Sequence, residues 1–412
     1  MRHSSDSQTS TMNRGKYAFV GLEVTDGLAR GAAGVLFAWV TLVVSNEISV
    51  VGILFLTIHL TNLVCGPFAG TMVDRMNRRK ASALGHVIIA SSMLALGMIV
   101  FIGGQLQVWQ LFSAAACATF GRLIFRSSLD SLVPEIFSLE KTKNVMLIVG
   151  GAHLLATAAG TTFVGFVIGQ SSIATGFFIA AAFSIPIVAL SFLVAKEAGD
   201  VLGETSKKYF SEFFDGMQQF VASRSLRWIA ILAMVTVPIG QLSNAILSSL
   251  VRDSFDGNSA MFGIADAAWP IGGMIGTTLL GLVTLRDQLK STEIVCALLL
   301  GLFTAALAFA PTFAVVVILH GMMGVFASCC RLLFAARIVS TESREHSGKN
   351  LANMQALVSL SAVLMTSSPL LIGIDSASFY FGLWGAIALA VALYMLPSFL
   401  RSEDLLQPKL ES

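Results

Sequence analysis

The chain has 412 residues, of which 55% are hydrophobic and 12% charged, and its mean hydropathy is +0.79. That composition excludes an ordinary soluble domain and a disordered chain, and a net charge of only +2 gives no basis for nucleic-acid binding. No nucleotide-binding loop, zinc or redox cysteine spacing, or catalytic cluster occurs, so no enzyme, metal, cofactor or ATP-driven pump is expected.

Residues 1–16 are polar and lack the basic-then-apolar form of a cleaved signal peptide, which predicts a disordered cytoplasmic tail. Apolar runs separated by short polar breaks then predict helices over 17–44, 48–70, 81–102, 108–133, 145–169 and 172–195. Their lengths suit a hydrocarbon core crossed at about 1.5 Å per residue. The polar stretch 196–227 interrupts the series. Within it, Lys207-Lys208-Tyr209-Phe210, Phe213, Phe214, Met217 and Phe220 set apolar beside charged residues at helical spacing. That fits either an amphipathic helix at the membrane interface or a linker helix packed on the bundle. Six more spans follow at 228–250, 258–283, 292–310, 312–340, 351–373 and 377–399, with 400–412 as a C-terminal tail. The expected fold class is all-α and polytopic, twelve transmembrane helices in two six-helix halves, 17–195 and 228–399.

Lys and Arg fall in alternate connections, including Arg75, Arg78, Arg79, Lys80, Lys141, Lys143, Arg286, Lys290, Arg344 and Lys349, while the opposite connections hold Arg252 alone. Basic loops stay on the cytoplasmic side, so both termini are expected inside a bacterial inner membrane. The halves also repeat. A shift of 209 residues aligns Arg122-Leu-Ile-Phe with Arg331-Leu-Leu-Phe, and a shift of 211 aligns Gly70 with Gly281, Arg75 with Arg286 and Arg79 with Lys290. Two similar six-helix halves are the construction of an alternating-access transporter. The five cysteines lie in apolar runs and are expected as small buried residues.

The loop Gly70-Thr-Met-Val-Asp-Arg-Met-Asn-Arg-Arg-Lys80 carries five charges in eleven residues. Gly70 would let helices approach closely, Asp74 can bond a helix N-terminus, and Arg75, Arg78 and Arg79 suit a helix C-terminus or lipid phosphate. The pattern Gly-x-x-x-Asp-Arg-x-x-Arg-Arg resembles the cytoplasmic loop motif of the major facilitator superfamily. The resemblance covers about 17–399 and implies a conformational latch made by Gly70, Asp74, Arg75, Arg78 and Arg79, with Arg286 as a degenerate counterpart whose Asp position is Leu285. Asn77 stands where the family often has Gly, and Asn tolerates a left-handed backbone. The stretch Gly121 to Asn144 resembles a bacterial exporter branch that includes siderophore and macrolide efflux proteins. Gly160 to Gly169 resembles that branch's glycine-rich motif without its usual proline.

Charges inside a membrane helix cost roughly 2.5–3.5 kcal/mol each, so they face one another or a cavity. In the first span Glu23, Asp26 and Arg30 share a face. This predicts either a structural Asp26–Arg30 pair or two crowded carboxylates able to hold a coupling proton. Arg122, Arg126 and Asp130 form an i, i+4 stripe on the fourth span, and Arg331 is the repeat counterpart of Arg122. These arginines either bind an anionic substrate or brace helix ends. Gln241, Asn244, Asp266 and Trp269 are further cavity candidates, and His59, flanked by Thr57 and Thr61, is the most polar-set intramembrane histidine. The expected function is secondary transport by a monomer whose partners are protons, membrane lipids and a small molecule. The first expectation is proton-coupled export of an anionic or amphiphilic molecule such as a carboxylate siderophore. The alternatives are multidrug or macrolide efflux, then solute uptake.

Overall fold

A computed structural model describes residues 2–136, 139–194, 224–284, 292–341 and 344–404. Helix α1 is Arg2–Val35, continued by a π-helical turn Leu36–Val40 and by Thr41–Ser45. Then come α2 (Ile48–Asp74), α3 (Arg78–Phe101), α4 (Val108–Ile136) and α5 (Leu139–Gln170). Helix α6 is split into Ile173–Ala182 and Ser184–Val194, and α7 into Arg224–Thr236 and Ile239–Phe255. The series ends with α8 (Ser259–Thr284), α9 (Thr292–Leu307), α10 (Phe313–Thr341), α11 (Arg344–Ile372) and α12 (Ala377–Asp404). Ten of these are long and apolar enough to cross a membrane; the other two are α8 and the 16-residue α9. The chain is therefore an all-α polytopic membrane protein.

Helix α1 begins at Arg2, so the expected disordered tail 1–16 is helical from its second residue. No proline lies in that stretch to stop the helix from growing backward out of the span. Helices α5 and α11 likewise start several residues before the apolar runs that predict them. Most of the linker 196–227, including its amphipathic stretch, and Arg286 lie outside the described residues.

Proline explains the two broken spans. Pro186 cannot donate to the carbonyl of Ala182 and its ring crowds that turn, and α6 breaks there. Pro238 withdraws the donor from the Met234 carbonyl, and the Ser361 hydroxyl of α11 takes that acceptor instead at 2.5 Å.

The chain divides into two compact units, Met1–Thr205 with Val251–Ala267, and Ser206–Leu250 with Ala268–Ser412. In the first, α1 lies against α5 because both present small residues. A Cβ on Gly31 would run into the Thr157 carbonyl, and one on Gly160 into that of Leu28. Phe19, Leu22, Phe125, Leu129 and Ile187 fill the space between α1, α4 and α6. The end of α7 and start of α8 belong to this unit. Trp39 stacks on Phe262 with centroids 5.8 Å apart, and Arg252 donates to the Leu42 carbonyl and Asn46 Oδ1, both at 3.2 Å. In the second unit, Gly272 and Gly276 of α8 close on Gly321 and Val325 of α10, and α9 lies on α12. Cys296, Cys329 and Cys330 are buried as expected, but Cys117 is exposed and Cys65 half-buried.

Candidate functional site

The small-residue contact between α1 and α5, and the matching approach of Gly85 on α3 to Gly121 on α4, bring four helices close enough for their polar groups to meet. Asp26 of α1 is fully enclosed. Its Oδ1 lies 3.5 Å from His86 Nε2 of α3 and 3.5 Å from Arg122 Nη2 of α4, and its Oδ2 lies 3.9 Å from His153 Nδ1 of α5. These are charge contacts rather than hydrogen bonds, and neither oxygen has a hydrogen-bond partner. A buried carboxylate held only by such long contacts is costly, and the surrounding charge must hold it.

Glu23, one turn earlier, is better satisfied. Arg126 Nη1 donates to both of its oxygens, at 3.0 and 3.1 Å, and Nη2 donates to Asp130 Oδ1 at 3.3 Å. His153 Nδ1 lies 3.1 Å from Glu23 Oε2 and 2.9 Å from the Glu23 carbonyl oxygen. His153 thus stands between the two carboxylates, within hydrogen-bond reach of one and close to the other. His86 is fixed from behind by Ser184 Oγ at 3.2 Å and by the edge of Phe125, centroids 4.4 Å apart. Glu23, Asp26 and His153 bring ligand-type atoms within 4.8 Å of one another. Arg122 and Arg126 already supply the positive charge there, so the cluster does not suit a metal ion.

The expected crowding of Glu23 and Asp26 is therefore present, and Arg122 and Arg126 join it as braces to carboxylates. The expected Asp26–Arg30 pair is replaced: Asp26 meets the Arg122 guanidinium of α4 and the His86 and His153 rings of α3 and α5, while Arg30 is exposed. His59 stands apart on α2, with Nε2 unpartnered. His86 and His153 carry the roles of bridging histidines instead. Sequence spacing could not reveal them, because each comes from a different helix; the small residues Gly27, Gly31, Ala156 and Gly160 were the available sign that α1 and α5 touch.

The remaining cavity candidates are scattered. Asp266 is half-buried on α8, in the part of that helix that belongs to the first unit. In the second unit, Arg331 of α10 is exposed and has no ion partner among the described residues. Gln241 is half-buried and Asn244 exposed. Trp269 packs against Gly240, with its ring 5.3 Å from that of His320, and the His320 ring meets Ser243 Oγ at 2.7 Å.

The charged loop is built differently from expectation. Asn77 is not left-handed; at φ −61° and ψ 122° it caps α3, accepting from the Arg79 N–H at 3.1 Å. Arg78 Nη1 donates to the Ser131 carbonyl of α4 at 3.0 Å, and the Ser128 hydroxyl donates to the Arg78 carbonyl. A Cβ on Gly70 would meet nothing within 4 Å, so no close helix approach is made there. Asp74 and Arg75 are exposed.

Two helical units and an intramembrane charge network fit a secondary transporter of a small molecule, and known proteins agree. The family model described as Major Facilitator Superfamily matches residues 21–246, and the chain belongs to that superfamily. It is 23% identical over 340 residues to the multidrug efflux pump Tap of Mycobacterium tuberculosis, covering 77% of this chain and 76% of Tap. Similar solved structures include a POT family transporter in complex with 5-aminolevulinic acid and the nucleoside transporter NupG. The first has a TM-score of 0.75 at 12% identity, covering 94% of this chain and 96% of that one. The second has a TM-score of 0.72 at 11% identity, covering 93% and 99%. At such identities these structures establish the fold alone and leave the cargo to the site.

Proposed function

We propose that this transporter is a proton-coupled efflux antiporter of the multidrug type, working by alternating access, with Glu23 and Asp26 as its coupling carboxylates. The observation that carries the reading is the enclosed Asp26, held by Arg122 and His86 through contacts of 3.5 Å. A proton on Asp26 removes the negative charge that holds the Arg122 guanidinium and faces the His86 ring, so α1 is freed from α3 and α4. His153, within reach of both Glu23 and Asp26, gives the proton a route between them. His59 has no place in this scheme. Similarity to an efflux pump supports the export direction. Both termini lie in the cytoplasm in this reading, and the loop Gly70–Lys80 acts as the latch of the inner side. The protein acts as a monomer.

The test is ethidium accumulation in cells with and without the gene, and with Asp26→Asn, before and after collapse of the proton gradient. Expressing cells should exclude ethidium only while the gradient stands, and Asp26→Asn cells should accumulate it like cells lacking the gene at equal protein abundance. Equal accumulation with and without the gene would sink the efflux reading; gradient-driven exclusion by Asp26→Asn would sink the coupling role. A second reading, export of a carboxylate-bearing siderophore, is favoured by the open guanidinium of Arg331. It predicts a carboxylate missing from the medium of iron-starved cells that lack the gene.

A further inference from the structure

Most carboxylates on the described spans are paired. Glu23 meets Arg126, Asp26 meets Arg122 and His86, Asp130 meets Arg126, Asp253 meets Arg252, and Glu293 lies 3.8 Å from Arg337. Asp266 differs. It has no hydrogen bond or ion pair to any described residue, and it is half-buried. An ionisable group inside a membrane helix is costly enough to need a purpose.

Its direction and backbone point to one. The lipid-exposed stripe of α8 is Ile264, Ile271, Ile275, Leu279 and Leu282. At about 100° per residue, Asp266 lies roughly 200° around the helix from Ile264, on the opposite side. One turn before it, Phe262 is buried against Trp39, so that side of the carboxylate is apolar. One turn after it, Pro270 lies inside α8. Proline has no N–H, so the main-chain carbonyl of Asp266 loses its helical donor. A carboxylate without a partner among the described residues and a carbonyl without its usual helical donor thus belong to the same residue, on the side of α8 opposite Ile264.

We propose that Asp266 is the anchor for the positive centre of an amphiphilic organic cation. Asp266 belongs to no group of three or more His, Cys, Asp or Glu among the described residues that could hold a metal ion, and a metal ion needs several such ligands. An organic cation needs one counter-charge and apolar surroundings; Asp266 offers the first, with the Phe262 ring one turn away. This inference rests on the efflux reading and deepens it by naming the charge class of the cargo.

The test uses the purified full-length protein and two probes of similar shape, tetraphenylphosphonium and the uncharged triphenylphosphine oxide. Asp266→Asn should weaken tetraphenylphosphonium binding about tenfold or more, as loss of a charge contact inside a low-dielectric site does. Asp266→Glu should retain most of it, and binding of the neutral probe should be the same in all three proteins. Wild-type protein that does not bind tetraphenylphosphonium, or Asp266→Asn that binds it like wild type, overturns the proposal. So does a parallel loss of both probes, which would mark a change of shape. Binding that depends on Asp266 in a protein whose expression leaves cellular ethidium unchanged would keep the anchor and reject the efflux reading.

Discussion

Arg122 and Arg331 occupy the same position in the two sequence repeats, yet the structure treats them oppositely. Arg122 is drawn into a buried network in which two carboxylates, two histidines and Arg126 complete one another. Arg331 stands exposed, and the described polar contacts of the second unit include one long ion pair, Glu293 to Arg337, and neutral hydrogen bonds such as Ser243 to His320 and Ser361 to the Met234 carbonyl. The difference arises on the first helix of each half. Helix α1 carries Glu23 and Asp26, whereas α7 has Gln241 and Asn244 and no carboxylate before Asp253 at its end. A shared fold thus supports one unit with a buried network of several charges and another in which the described ion pair, Glu293 to Arg337 at 3.8 Å, stands beside neutral bonds.

The largest effect that could break this comparison is at Arg122. Arg122→Ala leaves Asp26 buried with only its two histidines, and removal of one partner from a buried pair costs about 3 kcal/mol. The thermal midpoint of the purified protein should fall by several degrees. Adding Asp26→Asn to Arg122→Ala should recover part of that loss, because the uncompensated charge is then gone. Strict additivity of the two substitutions in thermal melts would show that Arg122 and Asp26 are not coupled, and the network would cease to distinguish the units.

How much of this was legible beforehand depends on the reach of each signal. Hydropathy marked the runs in which the described helices lie, ten of them long and apolar enough to cross a membrane. That Arg122, Arg126, Glu23 and Asp26 need partners followed from the cost of charge in a membrane. Their pairing did not. Spacing along α1 pointed Asp26 at Arg30, four residues on, whereas burial against α3 and α4 turned it to His86 and Arg122. Asn77 illustrates the same limit at short range: a family glycine pointed to a left-handed residue, but the start of α3 needed a cap and Asn provides one. Local patterns tell which groups must be satisfied, and only tertiary packing decides by whom.

A smaller effect is expected from Ser243→Ala in the second unit. It removes the hydroxyl from a buried histidine ring 2.7 Å away and should cost about 1 kcal/mol, a modest fall in thermal midpoint. The fall should be insensitive to salt and pH gradient, since no charge is lost. A loss as large as that of Arg122→Ala would mean that the second unit also depends on a coupled polar network.

The smallest expected effect on stability is at Arg331, and it discriminates most sharply between its two roles. An arginine that braces a helix end has a partner, and its removal strands that partner; an arginine kept for an anionic ligand is unpaired until the ligand arrives. Arg331 is exposed on the side of α10 opposite the lipid-facing Ile318, and no described carboxylate meets it. Arg331→Ala should therefore change the thermal midpoint by no more than about 0.5 kcal/mol equivalent, the range of a substitution that breaks no contact. Transport assays on the same protein then separate the cargo classes. If export of the cation ethidium persists in Arg331→Ala while it fails in Asp266→Asn, Arg331 and Asp266 have different duties. A midpoint that falls as far as in Arg122→Ala would instead restore the symmetry of the repeats and make Arg331 a brace.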